Sequence, residues 1–333
     1  MMRAKILELL RSKMPDPVSG EEISAQLGVS RTAVWKHIQA LKNNGYEIES
    51  IPKKGYILHK APDLLSPEEI VSCLETKWVG HHIHYLKSTV SSNEVGKGLA
   101  DKGCADGLVV VAEEQSGGKG RLSRGWFSPR GGGVWCSVVL RPPFMPYEAS
   151  KCTLLAAVAV IQAVNKYKGV HAAIKWPNDV LLNGKKMVGI LTEMSAEFGK
   201  INYIVIGTGI NTNVPPEQIP EELKNLAISV ADVAEEPIRR VQILADYLKN
   251  VETLYEIAIK EGFGPIFALW RKYSDTIGQA VKVIAPDKIY FGTAVDIDDD
   301  GLLIVKKEDG TLEKVIAGDV SIRPAGAKGK SYS

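Results

Sequence analysis

Cysteine is scarce in this sequence, and what there is does not cluster. Cys73, Cys104, Cys136 and Cys152 lie far apart, with no Cys-x-x-Cys pair and no histidine at zinc-ligand spacing. Neither a disulfide framework nor a zinc site is expected; the four read as reduced, mostly buried thiols. His81, His82 and His84 are close neighbours, but no carboxylate or cysteine completes a ligand set, so no metal site is assigned. Long apolar runs are lacking too. The most apolar stretch, Leu154–Val164, contains Gln162 and falls short of the ~18–20 residues of a membrane span. The start, Met-Met-Arg-Ala-Lys, runs straight into an amphipathic pattern rather than an apolar leader, so the expectation is a cytoplasmic chain with no membrane contact.

Net charge is small, +2 from 41 basic and 39 acidic residues, but it is uneven. Residues 1–60 hold ten Lys/Arg against six Asp/Glu, a net of +4, which leaves −2 for the remainder. A basic head on a nearly neutral body points to a nucleic-acid contact at that end. With 333 residues, 45% of them hydrophobic, the chain can build cores for two or three domains.

The first sixty residues carry helix signals in quick succession. Ile6, Leu7, Leu9 and Leu10 fall at helical spacing before Pro15 and Pro17 break the pattern. Ser19 with Glu22 forms a capping-box arrangement, and Gly28 suits a left-handed helix end. Ser30 opens a third helix with Val34, Ile38 and Leu41 facing inward, and Asn44-Gly45 stops it. Two short β runs around Pro52-Lys53-Lys54-Gly55 follow, so residues 1–62 read as a winged helix-turn-helix. In such a unit the second helix of the pair enters the major groove. Arg31, Thr32, Trp35 and Lys36 take its outward face, with Arg31 and Thr32 suited to base edges and Lys36, Lys53 and Lys54 to phosphate.

Beyond the linker Ala61-Pro62-Asp63, strands (Leu108–Glu113, Val134–Leu140, Tyr203–Gly207) mix with helices, of which Tyr147–Tyr167 is expected to be the longest and buried, and Pro237–Lys260 a second helical block. From Ala280 the pattern turns to short strands with tight turns at Asp300-Gly301 and Asp309-Gly310, a small β-barrel or sandwich. The tail 327–333 reads as disordered.

Four segments of the middle region are chemically unusual. Ser91-Ser92-Asn93 offers short polar groups to a small polar head, or a helix cap. Glycines 117, 118, 120 and 125 with Lys119, Arg121 and Arg124 form a loop able to wrap an anion, followed at once by Trp126 and Phe127; its spacing is not that of a Walker A loop. Lys175-Trp176-Pro177-Asn178-Asp179 precedes a lysine-bearing hairpin, Asn183-Gly184-Lys185-Lys186, that leads to Gly189. Gly207-Thr208-Gly209-Ile210-Asn211 ends an apolar strand with glycines that permit close approach of a ligand, and it lacks the third glycine of a dinucleotide fingerprint.

In order, and across nearly the whole chain, these segments resemble the biotin–protein ligase family, and with the head included its bifunctional ligase–repressor subgroup. Lys-Trp-Pro-Asn-Asp is the most specific match. Three positions depart from the family pattern: Ser92 stands where threonine is usual, and in the loop Lys119 replaces an arginine and Ser123 a glycine. Lysine keeps the charge but loses the bidentate fork.

The resemblance implies an α+β multidomain chain: head 1–62, a central mixed α/β ligase domain of class II synthetase-like type over 63–273, and a small SH3-like β-barrel over 274–326. It implies ATP, biotin and Mg²⁺ as reactants, biotinyl-5′-AMP as intermediate and corepressor, and transfer to a lysine of a biotin carboxyl carrier protein of acetyl-CoA carboxylase or a related carboxylase. It further implies operator DNA as a partner and homodimerisation with adenylate bound. Ser91, Ser92, Asn93, Gln115, Gly118, Lys119, Arg121, Lys186, Gly189, Gly207 and Gly209 are then expected at biotin. Lys119, Arg121, Arg124, Trp126, Lys175, Asn178, Asn211 and Arg323 are expected at the nucleotide. Lys186 and Arg121 bridge the reactants in this reading, and Asp179 orients or deprotonates the acceptor amine. A biotin sensor without ligase activity, or a lipoate/octanoate-type transferase, are the rival readings.

Overall fold

The computed structural model describes residues 2–285 and 288–316, and 321–324 as backbone. The tail 327–333 expected to be disordered lies outside the described residues. In the head, α1 (Met2–Ser12), α2 (Gly20–Leu27) and α3 (Arg31–Asn43) pack beneath a hairpin of β1 (Glu47–Ile51) and β2 (Gly55–Lys60). Local chemistry sets its boundaries. Ser19 Oγ accepts the Glu22 N–H at 3.0 Å and Ser30 Oγ accepts the Ala33 N–H at 3.2 Å, while Gly28 adopts φ 64°. Val34, Ile38 and Leu41 are fully buried against Ile6, Leu7, Leu10 and Ile23. Gly55, at φ 125°, brings the wing onto Val18: a Cβ there would sit 2.1 Å from the Val18 carbonyl oxygen.

A buried carboxylate joins head to body. On α4 (Pro67–Cys73), Glu69 accepts two 2.7 Å bonds from Arg11 and one of 2.7 Å from the Tyr46 hydroxyl. The linker is fixed as well. Arg240, with no exposed surface, pairs with Asp63 at 2.9 Å and Glu113 at 3.0 Å.

The body is built on a seven-stranded sheet. Its strands are β3 (Ile83–Leu86), β4 (Val109–Ala112), β5 (Gly133–Leu140), β6 (Ala172–Lys175), β7 (Asp179–Leu182), β8 (Lys185–Glu197) and β9 (Lys200–Asn211). They lie in the order β3-β4-β5-β9-β8-β7-β6, antiparallel except for the β3–β4 pair. α5 (Ser92–Asp101) packs on β4, β5 and β9, and α6 (Lys151–Val164), α7 (Arg240–Glu261) and α8 (Gly264–Tyr273) form the other helical layer. Covered on both faces, β5 is buried throughout.

The helix expected over Tyr147–Tyr167 is shorter. A single 3₁₀ turn, Pro146–Glu148, precedes α6. At the far end the Asn165 side chain accepts the Ala172 N–H at 2.8 Å and turns the chain into β6. At 22 residues α7 is longer than α6. As expected, α6 is buried almost all round.

The C-terminal unit is a five-stranded antiparallel sheet of β10 (Ala280–Ile284), β11 (Ile289–Ile297), β12 (Leu303–Lys306), β13 (Leu312–Val315) and β14 (Ser321–Pro324), in the order β13-β12-β11-β10-β14. Its turns contain Gly301 at φ 75° and Gly310 at φ 85°. The first turn reaches the body, where Gly301 accepts the Trp176 indole N–H at 3.1 Å and Asp300 pairs with Lys151 at 3.2 Å.

Candidate active site

The glycine-rich segment folds as a small hairpin. Gly120 N–H donates to the Arg124 carbonyl at 2.7 Å and Trp126 N–H to the Gly118 carbonyl at 2.8 Å. Its residues Arg121, Arg124 and Trp126 line a cavity of about 150 Å³ together with Lys175, Asn178, Asp179, Lys186 and Asn211. Four cations thus face one carboxylate among the described lining residues. Arg121 donates to Asn178 Oδ1 at 3.2 Å, and Asn178 in turn donates to the Ile190 carbonyl at 2.9 Å. Lys186 Nζ lies 2.7 Å from Asp179 Oδ1 and 5.2 Å above the ring of Trp126. That carboxylate oxygen accepts no directed hydrogen bond, so the contact is a Coulombic pair. The backbone of Lys186 is held from the opposite wall: its N–H donates to the Leu226 carbonyl at 2.7 Å, and its carbonyl accepts from Ile228 at 3.2 Å.

A second, smaller recess of about 40 Å³ adjoins the first, with Gly120, Trp126, Asn178 and Lys186 common to both. Ser91, Ser92, Asn93, Gln115, Lys119, Gly189, Gly207 and Gly209 also line it, with Cys136, Ile190, Leu191 and Thr208. Gln115 Oε1 accepts the Ser92 backbone N–H at 2.8 Å and its Nε2 donates to Ser128 Oγ at 2.9 Å. Asn93 Nδ2 donates to the Leu191 carbonyl at 3.2 Å and to Glu193 at 2.8 Å.

The expected site residues have neighbours of their own within the chain. The glycines of β8 and β9 make room for side chains of this chain: a Cβ on Gly207 would lie 2.1 Å from Asn93 Oδ1, and one on Gly209 2.2 Å from Trp126 Nε1. Gly189 also backs the Trp126 ring, with a Cβ distance of 2.9 Å. Gly118 stands behind Gln115 and Ser128 rather than on either cavity wall. Lys119 lies 3.0 Å from Glu94 and lines the small recess but not the cationic cavity. Ser91 occupies the cap position of α5 without a side-chain cap bond. Arg323 sits on β14 opposite Lys282; its side chain lies outside the described residues. No group of three His, Cys, Asp or Glu suited to a metal ion occurs among the described residues. Among the described residues lining the cationic cavity Asp179 is the one carboxylate, so they do not form a divalent-cation cage of their own.

On the head, Arg31, Thr32, Trp35, Lys36, Lys53 and Lys54 are all exposed, Trp35 at 53%. They stand on the outer face of α3 and on the wing.

Residues 85–211 match the biotin/lipoate A/B protein ligase family, 3–57 an HTH domain and 276–323 the biotin protein ligase C-terminal domain. The bifunctional ligase/repressor BirA of Bacillus subtilis is 40% identical over 96% of this chain and 98% of its own, and that of Escherichia coli 31% identical over 92% and 93%. The chain belongs to the biotin–protein ligase family, in its bifunctional ligase/repressor branch. The solved biotin protein ligase from Aquifex aeolicus in complex with biotin and ATP superposes with a TM-score of 0.64 at 26% identity, covering 74% of this chain and all of that one.

For a ligase of this family the site holds residues that sequence reasoning passed over. Ser137 and Ser128 tie the small recess together from behind. Val214, Ile219, Leu223 and Leu226 wall the cationic cavity from the segment after β9. A serine within the apolar run of β5 was a readable signal for the first; the loop residues carried none.

Proposed function

We propose that the chain is an ATP-dependent biotin–protein ligase that forms biotinyl-5′-AMP and transfers biotin to a lysine of a carboxyl carrier protein, and that it represses transcription through its winged head. The observation that carries the enzymatic half is the position of Lys186, on the wall common to the small polar recess and the cationic cavity. Biotin's carboxylate and the α-phosphate are both anionic. Two unit charges 4 Å apart repel by roughly 4 kcal/mol at an effective dielectric of about 20. Lys186 can touch both reactants at once, Arg121 adds charge from the loop, and Arg124 and Lys175 face the polyphosphate. Mg²⁺ arrives on the nucleotide and neutralises phosphate charge.

In the second step the acceptor amine attacks the acyl carbon and AMP leaves. Asp179 holds Lys186 and is placed to take the amine's proton. Labelled biotin, Mg-ATP and the carrier domain of acetyl-CoA carboxylase test the reading. Labelled carrier is expected; a chain that binds biotin yet labels no carrier is a sensor and not a ligase.

The repressor half follows from the exposed cations on α3 and the wing. Adenylate-bound chains dimerise in this reading and present two recognition helices to a two-fold operator. The units are 1–62, 63–273 and 274–326, and the setting is the cytoplasm. Operator affinity measured over a range of protein concentrations should rise with adenylate; identical curves with and without it would remove the regulatory half.

A further inference from the structure

The linker and the wall of the cationic cavity share an anchor. Arg240, in the first turn of α7 and without exposed surface, donates to four acceptors. These are Asp63 Oδ2 at 2.9 Å, the Asp63 carbonyl, Glu113 at 3.0 Å and the Gly133 carbonyl at 3.1 Å. Gly133 pairs with Asn211 in the β5–β9 ladder, and Asn211 lines the cationic cavity. Just past β9, the N–H groups of Thr212 and Asn213 donate to the Gly132 carbonyl at 3.2 and 3.0 Å. The Asn213 amide oxygen accepts from Thr212 Oγ1 at 2.6 Å, which turns its Nδ2 to Asp63 Oδ2 at 3.4 Å. The next residue, Val214, belongs to the wall of the same cavity. Its N–H donates to Ser229 Oγ, another lining group, at 3.1 Å.

We propose that Asp63, a linker residue that lines neither cavity, is a positioning residue for the nucleotide: by tying Asn213 to Arg240 it fixes the turn that carries Asn211 and Val214. Backbone bonds to the single Gly132 carbonyl leave that turn free to pivot about it. A side-chain tie placed off this axis removes the freedom, and a site keeps its geometry through such supporting bonds. The role is separable from folding. Glu113 is buried and still pairs with Arg240 when Asp63 is neutralised, so the guanidinium keeps a counter-charge. The Asp63 side chain is 46% exposed, and its removal opens no core cavity. Glu69, the other carboxylate at the junction of head and body, touches Arg11, Tyr46 and Arg239, none of which lines the cavity. The two carboxylates thus separate support of the nucleotide wall from attachment of the head. The inference rests on reading the cationic cavity as the nucleotide site.

The test is biotin-dependent ATP–pyrophosphate exchange by the full-length chain at saturating biotin, with biotin affinity read by calorimetry. A wild type without exchange would overturn the ligase reading, and this inference with it. Given wild-type exchange, Asp63→Ala is expected to raise the KM for ATP by about three- to tenfold, the range of one net hydrogen bond, with kcat and biotin affinity changed by less than about twofold. Glu69→Gln loosens the head without touching the wall and should leave the KM for ATP at its wild-type value. In an Asn213→Ala background, Asp63→Ala should add less than it does alone, because the contact between them is already gone. A wild-type KM in Asp63→Ala overturns the inference while leaving the ligase reading intact. An equal rise in Glu69→Gln also overturns it, since the effect would then belong to head attachment.

Discussion

Lys186 and Asp179 form a 2.7 Å ion pair at the join of two cavities, each side chain about one-fifth exposed. The strand register explains the meeting: β7 and β8 pair antiparallel with Leu181 opposite Lys186 and Asp179 opposite Gly189, and the register shifts between Val180 and Leu181. The carboxylate therefore positions the lysine from the neighbouring strand. Asp179→Asn keeps the shape and removes the charge. It should slow formation of the adenylate by about tenfold, with a larger effect on transfer to carrier if the carboxylate also takes the amine's proton. Single-turnover rates of the two steps separate these effects; equal wild-type rates in both would leave Asp179 without a role.

Trp126 depends on Gly209. A methyl group there would stand 2.2 Å from the indole nitrogen, so Gly209→Ala must push the ring out of its seat. Overpacking of this kind costs about 1–3 kcal/mol. The larger expected effect is on ligands, because the ring lines both cavities. Binding of biotin and of ATP should both weaken by more than tenfold, read by calorimetry, with Gly103→Ala as no substitute control since Gly103 has a positive φ of its own. Gly98→Ala, a helical site with nothing within reach of the added methyl, should leave both affinities unchanged.

The four cysteines divide by burial. Complete burial pushes the thiols of Cys136 and Cys152 up to about 12, whereas Cys73 and Cys104 are half-buried. The thiolate is the reactive form, and a raised value means it is absent at neutral pH. A maleimide at pH 7 should modify two cysteines in the native chain and four after denaturation, counted by mass spectrometry. Rapid native labelling of Cys136 would contradict the packing of β5 against α7.

These same elements show what a sequence can and cannot disclose. The head was legible because its signals are local: Ser19 and Ser30 cap within three residues, Gly28 ends a helix at its own position, and inward residues repeat at helical spacing. The cations of the loop and of the Lys-Trp-Pro-Asn-Asp segment were legible as a set, and the structure brings Arg121, Lys175, Asn178 and Lys186 onto one wall. Gly207 and Gly209 were legible as points of close approach and both line the small recess, but what stands against each comes from far along the chain, here Asn93 and Trp126. Strand β9 was recognised only over Tyr203–Gly207, its most apolar part, although it continues to Asn211 where glycines replace the β-branched signal. Lys119 was assigned to the anion by its charge, and only tertiary structure places Glu94 beside it.

On the wing, Lys53 and Lys54 stand exposed beyond β1. Replacing both with alanine should weaken operator binding and reduce the salt dependence by about 0.9 in the log–log slope for each phosphate that is no longer neutralised. Biotin transfer to the carrier domain should be unaffected. An unchanged salt slope would mean that the wing does not touch DNA.

The central claim is that a cationic wall led by Lys186 lets two anions join. Biotin-dependent ATP–pyrophosphate exchange reports this step without any acceptor protein. The account predicts that Lys186→Ala lowers the exchange rate by about 10²–10³ and Arg121→Ala by a smaller factor, with both proteins still folded. Exchange at the wild-type rate in Lys186→Ala would contradict it.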